Sequence, residues 1–463
     1  MHDDQSTGGA RWLWPASVFV IVLAAQLWLV AAAGTDIPFQ DQWDAEGRGM
    51  YPALRDGSAH AVDLFRPHNE HRILWTHLLN RGLFALNGQW DPLVQLVAGA
   101  LLHAAVAALL AGGLRRAGAS GWLIGCGVGL LSLPLAGWHN ALWGFQSQVY
   151  FAVLFSVTAF GLLAAPSVSM GRLVAGWLAA GAAMLAMGPG LLVPVALAGG
   201  PALRAGAGRV RWREAGPVAL LLLAAWWLHV PVAGHAVLAA GSPGQYFSAL
   251  LRLLGWPHST QPWAAIMMNF PLVAMLGGRA LKRREPAAGE DFVVLLAGWA
   301  FVVAVAAAWS RGGGAEFAAG VPSRYVDFIV LLPLANAWCV LQLAREALPQ
   351  WQASSRLVAG AWGAFLLVGW LGLSAEVLRG VILPRARDRD APVRLMQEFQ
   401  RTGEAAVFAS QPRLLVPHPN LESVRAVLQD PRMKGVLPPS LQPDQPLGPL
   451  SRGVRGGAGA LGL

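Results

Sequence analysis

Charge is scarce in this sequence: Asp, Glu, Lys and Arg make up 13% of 463 residues, against about 25% in an ordinary soluble domain. That shortfall excludes a conventional soluble surface. Cysteine is nearly missing, with only Cys126 and Cys339. Both lie in apolar runs, which excludes a disulfide framework and reads as two small core residues. Tyrosine is sparse too, 4 residues against 21 tryptophans. Trp12, Trp14, Trp122, Trp138 and Trp309 flank apolar runs, where an indole favours a membrane–water interface. Acid is short relative to base, giving a formal net charge of +9. There is no basic stripe interleaved with aromatics, so no nucleic-acid partner is expected. The basic excess reads as membrane topology and contact with anionic lipid.

What is abundant is apolar length. Apolar residues make up 55% of the chain, and mean hydropathy is +0.47. The expected fold class is an all-α polytopic membrane protein of about eleven transmembrane helices. The spans are expected near 12–33, 92–113, 120–137, 148–165, 172–187, 189–203, 216–238, 261–280, 291–309, 325–344 and 356–377. The fifth and sixth are short and flank Met187-Gly188-Pro189-Gly190, as a tight hairpin or as broken helices. Val30-Ala31-Ala32-Ala33-Gly34 resembles a signal cleavage site. The run before it is long and many spans follow, so an uncleaved anchor after Arg11 is expected.

Basic residues test the order. With the N-terminus inside, the inner loops receive Arg115, Arg116, Arg204, Arg209, Arg211, Arg213, Lys282, Arg283, Arg284, Arg345 and Arg356. The short outer loops keep mainly Arg252, Arg311 and Arg324, the positive-inside pattern. The first loop, the loops at 138–147, 241–260 and 310–324, and the tail then share one outer face. Residues 1–380 are expected to form the bundle, with its first outer loop at 34–91. Residues 381–463 read as a short polar tail with a disordered Gly-rich end.

The titratable groups gather in that first loop. Asp36, Asp41, Asp44 and Glu46 form one cluster, interleaved with Phe39 and Trp43. Asp41 and Asp44 share a face if helical, so one could act as general base while the other orients substrate or metal. A solvated loop with helix-capping Asp is the plainer account. Arg66, His68, Asn69, Glu70, His71 and Arg72 form a second cluster. His68, Glu70, His71 and Arg72 suit a grip on phosphate or sugar, with Arg72 or His71 as the cation. A divalent metal shared by His68 and His71 is left open, since their spacing matches no zinc signature. Arg311, in a Gly-rich outer loop, and Arg324-Tyr325 at the mouth of a span are candidates for holding a lipid phosphate. Gln146, within Asn140 to Gln148, offers an amide among aromatic rings, suited to a sugar. Two stretches, Asp41 to Leu54 and Asn69 to Leu86, alternate at helical spacing and are expected to lie in the interface plane.

These pieces together resemble the polytopic membrane glycosyltransferases of GT-C type in bacteria. The matching segments are PFQDQWD after the first span, HNEHR, NALWGFQSQ, GPGLLVP and VPSRY, scattered over residues 1–330. The resemblance implies a helical bundle with a cavity beneath the first outer loop. It also implies transfer of a sugar from a polyprenyl-phosphate carrier to an acceptor at the outer face of the inner membrane. Carried onto this chain, the catalytic carboxylate would be Asp41, with Asp44 as its competitor, and Arg324 would hold the carrier phosphate. The expected partners are a polyprenyl-phosphate-linked sugar, membrane lipid and an acceptor of unknown kind. The chain departs from better-known members in its short tail and its D-x-x-D spacing. A transporter or flippase of lipid-linked sugars is the first rival, and would want polar groups within spans. His103 and His229 are the main ones, and each reads as a satisfied core group. A non-catalytic scaffold is the second rival.

Overall fold

A computed structural model describes residues 12–121, 123–164, 169–205, 212–281 and 286–460. Arg11, Trp122, Arg209, Arg211, Lys282, Arg283, Arg284 and residues 461–463 lie outside the described residues, as do the side chains of Arg204 and Arg213. The structure is 76% helical. Among the described residues the strands are a two-residue pair, Pro67–His68 against His71–Arg72.

Among the described residues, six helices are long and apolar enough to cross a membrane: Leu13–Ala33, Pro92–Arg116, Gly144–Leu163, Glu290–Arg311, Ser323–Glu346 and Pro349–Arg387. Met170–Met184, Gly188–Gly199, Ala215–Leu228 and Ala264–Ala280 are shorter apolar helices. This is the build of an all-α membrane protein. The run expected at 120–137 is a shorter element. A wide turn at Leu123–Val128 continues only to Leu131, a rise of about 13 Å against a hydrocarbon core of about 30 Å. Pro134 follows closely and disfavours helix in the residue before it. Cys126, expected in the core, is exposed as a result, whereas Cys339 is buried.

One proline inside a helix is compensated from a neighbouring helix. Pro271 has no N–H to offer the carbonyl four residues earlier. That carbonyl, on Met267, instead accepts Trp362 Nε1 at 3.1 Å. Between helices, Gln26, His103, Tyr150 and Asp327 form a buried polar chain. Gln26 bonds both His103 and Tyr150, and His103 Nε2 lies 3.7 Å from Asp327 Oδ1. Asn140 Nδ2 donates to Asp327 Oδ2 at 2.6 Å. His103 is thus a buried group with a hydrogen-bond partner, as expected.

The first loop and the tail pack on each other. Trp43, Met50, Tyr51 and Trp90 from the loop side form one buried cluster with Phe399, Phe408, Val424, Val427 and Leu441 from the tail. The helices of residues 43–56, expected to face lipid, are covered by the tail instead. Glu46 anchors this layer from within. It is fully buried and accepts from Asn80, Trp90 and Gln95 at 2.6, 2.8 and 3.0 Å. Burial nevertheless raises its carboxyl to about 7, against the opposing pull of those bonds. The Gly-rich end, expected to be disordered, continues as helix from Pro449 to Ala460. Arg455 on it bridges two buried carboxylates, Asp36 at 3.0 Å and Asp91 at 2.5 Å. Ser451 donates to Asp91 and accepts from Asn87. An acidic pair that would repel itself thus recruits the tail, which low-complexity composition does not disclose.

Candidate functional site

The site grows from the end of the Leu13–Ala33 helix. Residues 34–41 leave it without regular structure, and Gln40 adopts a left-handed backbone (φ 50°), uncommon for a side chain of this size. The tail holds it there: Gln40 N–H donates to the Pro417 carbonyl at 2.6 Å. Phe39 N–H donates to Gln42, and Trp43 Nε1 donates to the Pro38 carbonyl at 2.8 Å. Asp41 follows at the head of a wide helix, Trp43–Met50, a form that often marks functional positions.

Each carboxylate of the D-x-x-D pair has its own imidazole. His68 Nε2 lies 3.3 Å from Asp41 Oδ2, and His418 Nε2 lies 3.1 Å from Asp44 Oδ2. His68 comes from the small hairpin whose turn residue Asn69 is also left-handed. His418 comes from the tail, where its Nδ1 accepts from Asn420 N–H at 3.1 Å. Burial would raise the Asp41 carboxyl. The bond and charge of His68, with His418 behind, outweigh it and hold the group below its usual value. Asp41 is thus ionised at neutral pH while its side chain keeps 38% of its exposure.

Glu70, at the hairpin turn, joins three segments. It pairs with Arg311 and lies 2.7 Å from His235 Nδ1 and 3.6 Å from His71 Nε2. His71 is not the cation the sequence suggested. Burial first, then the neighbouring His68 and His235, push its pKa down to about 4. Its Nδ1 accepts the Gly188 N–H at 3.2 Å, a role only an unprotonated nitrogen can fill. Any Cβ at Gly188 would lie 2.7 Å from the ring, so the Met187-Gly188-Pro189-Gly190 turn is fitted to His71. Arg72 donates through one guanidinium nitrogen to the Phe65 carbonyl at 2.6 Å, and its Nε has no partner among the described residues. Gln146 is buried and accepts from Gln148, so its amide is not offered to the surface.

Arg324 donates to Glu316 at 2.5 Å and lies over the Tyr325 ring at 5.3 Å. Its carbonyl accepts from Asn140, and Ser323 Oγ accepts the His139 N–H at 3.1 Å. Arg324, Glu316, Ser323 and His139 line a cavity of about 540 Å³ that also takes in Phe39, Gln40, Trp138, Trp143, Trp256 and Arg413. Three ring nitrogens in its wall, His139 Nε2, Trp143 Nε1 and Trp256 Nε1, are buried without a protein partner. Burial first, and then Arg324, Arg385 and Arg413, push the His139 pKa down to about 3. The wall is therefore largely aromatic, with an ion-paired arginine in it. Such a lining suits a polyhydroxylated ring bearing an anionic group.

The structure thus unites Asp41 with His68, Asp44 with His418, and Glu70 with His71 and Arg311, and sets Arg324 in the cavity wall. Sequence reasoning missed His418, His235 and Glu316. A single His in a Pro-rich tail carries no local signal that it meets residue 44. Among the described residues there is no group of three or more His, Cys, Asp or Glu arranged to hold a metal. Comparison with protein-family models, curated proteins and solved structures finds no match to this chain.

Proposed function

We propose that the protein is a membrane glycosyltransferase of GT-C type, moving a sugar from a polyprenyl-phosphate carrier to an acceptor hydroxyl at the outer face of a bacterial inner membrane. The observation that carries this reading is Asp41. It is an ionised, part-exposed carboxylate held by His68 at 3.3 Å, adjacent in sequence to Gln40 in the aromatic cavity wall. In the reaction, the acceptor oxygen attacks the anomeric carbon as Asp41 takes its proton, with Asp44 as the competing base. The bond from that carbon to the phosphate oxygen breaks on the opposite side, inverting the centre. Polyprenyl phosphate departs as the anion, and Arg324 stabilises the growing charge. Glu316 must yield part of its hold on Arg324 for this, which keeps the guanidinium positioned before substrate arrives.

The test is mass spectrometry of lipids that co-purify with the wild-type protein and with Asp41→Asn. A polyprenyl-phosphate sugar enriched in the variant, with transfer lost and folding intact, supports the reading, and its mass names the sugar class. Transfer at the wild-type rate in the variant removes Asp41 from the base role.

One observation favours a second reading, a transporter of lipid-linked sugars. The buried chain of Gln26, His103, Tyr150 and Asp327 supplies the polar groups between helices that such a protein needs. Loss of lipid-linked sugar movement in Asp327→Asn, with no transferase activity in the wild type, would select it.

A further inference from the structure

Beyond that reading, a second cavity lies along another part of the bundle. It measures about 750 Å³ and is walled by apolar side chains, among them Leu130, Val340, Leu341, Trp362, Leu366 and Trp370. It lies between the short Leu123–Leu131 element and the Leu331–Glu346 and Gln352–Val377 helices, each of which contributes to its wall. At one end stand Arg345, Gln352 and Arg356. That is the bundle end remote from Asp41: Arg345 donates to the Gly118 carbonyl, just past the far end of the Pro92–Arg116 helix, whose last turn adds Arg115 and Arg116. Glu346, next to Arg345 in sequence, accepts from Gln342 at 2.9 Å.

We propose that this groove is a binding site for an anionic diacyl phospholipid, its phosphate between Arg345 and Arg356 and an acyl chain along the Gln352–Val377 helix. Two guanidiniums on neighbouring helices match a phosphodiester in charge and in hydrogen-bond geometry. The helix rises about 21 Å between Arg356 and Trp370, more than the roughly 15 Å of one leaflet's hydrocarbon, so one chain fits along it. A chain leaving the bilayer for the groove exchanges one apolar surface for another and gains little. Selectivity therefore rests on the headgroup.

The structure supplies its own reporter. Cys126 is exposed and lines the groove, while Cys339 is buried. The experiment follows maleimide labelling of Cys126 in full-length, delipidated protein, as dioleoyl phosphatidylglycerol or dioleoyl phosphatidylcholine is titrated in. Phosphatidylglycerol is expected to protect Cys126 at about 30-fold lower concentration, the effect of two basic residues facing an anionic lipid. The double variant Arg345→Gln/Arg356→Gln is expected to erase that preference. Gly363→Phe is expected to abolish protection by either lipid while the protein stays folded. A Cβ at Gly363 meets nothing within 4 Å, and Phe is a better helix former than Gly. Equal protection by the two lipids in the wild type overturns the proposal, as does a preference that survives the double variant. Protection by a polyprenyl phosphate but not by phosphatidylglycerol also overturns it, and assigns the groove to the donor's tail.

Discussion

At the scale of single residues, the two imidazoles divide the work around the acidic pair. His68 offsets the effect of burial on Asp41. Replacing it with Ala removes both its hydrogen bond and its charge, so the acid limb of the transfer rate against pH should move to higher pH. An unmoved limb would show that Asp41 does not titrate in the reaction. Glu46 makes an independent prediction. Its folded-state pKa of about 7 stands above its usual 4.5, so between those values the folded protein holds a proton that the unfolded chain has released. Stability is then full below about pH 4.5 and falls as pH rises through 7, by on the order of 3 kcal/mol. Melting temperature followed from pH 5 to 8 should show that decline, and Glu46→Gln should lack it. Asp41, Asp44, His68, Glu70 and Arg324 were legible because charged residues stand out in a chain this apolar. The role of His71 was not, since neutrality depends on burial that comes from elsewhere in the fold. Glu46 looked like one more loop acid, because the groups that bond it lie up to 49 positions away.

At the scale of elements, the long apolar runs were readable from length alone, and six of them stand as long helices. The run at 120–137 misled because hydropathy reports apolarity and not continuity. The turn at Ser132 and the proline after Leu133 end the helix while apolar residues go on. Turns carry the next prediction. Gly188→Ala sets a methyl 2.7 Å from the His71 ring, and displacing that ring shifts Glu70 and its partners. Transfer should fall about 10-fold or more with expression unchanged, since small misplacements near a reacting centre are costly. The C-terminal helix carries another. Arg455→Ala leaves Asp36 and Asp91 buried beside each other without their shared cation, a loss of about 3 kcal/mol. Limited proteolysis should then cut the tail faster than in the wild type, with the membrane helices left intact.

At the scale of the whole molecule, five segments far apart in sequence meet at one end of the bundle. Glu70 reaches Arg311, Arg413 lies 3.7 Å from Glu316, Asn140 reaches Asp327, and Trp256 joins Phe39 in the cavity wall. Their grouping on one face was readable from the distribution of basic residues. Their contacts were not, because no local pattern links a Pro-rich tail to the first loop. A chain ending before Gln411 loses Pro417, His418 and Arg455 together, and uncovers Trp43, Met50 and Tyr51. It should retain its membrane helices, lose all transfer, and elute as aggregate in size-exclusion chromatography. The bond from Gln40 to Pro417 has a consequence in time as well as in space. A ribosome delivers Asp41 long before His418. The proposed site is therefore complete only after every intervening hydrophobic segment has been made, and a chain whose synthesis stops before Pro417 is expected to lack transfer.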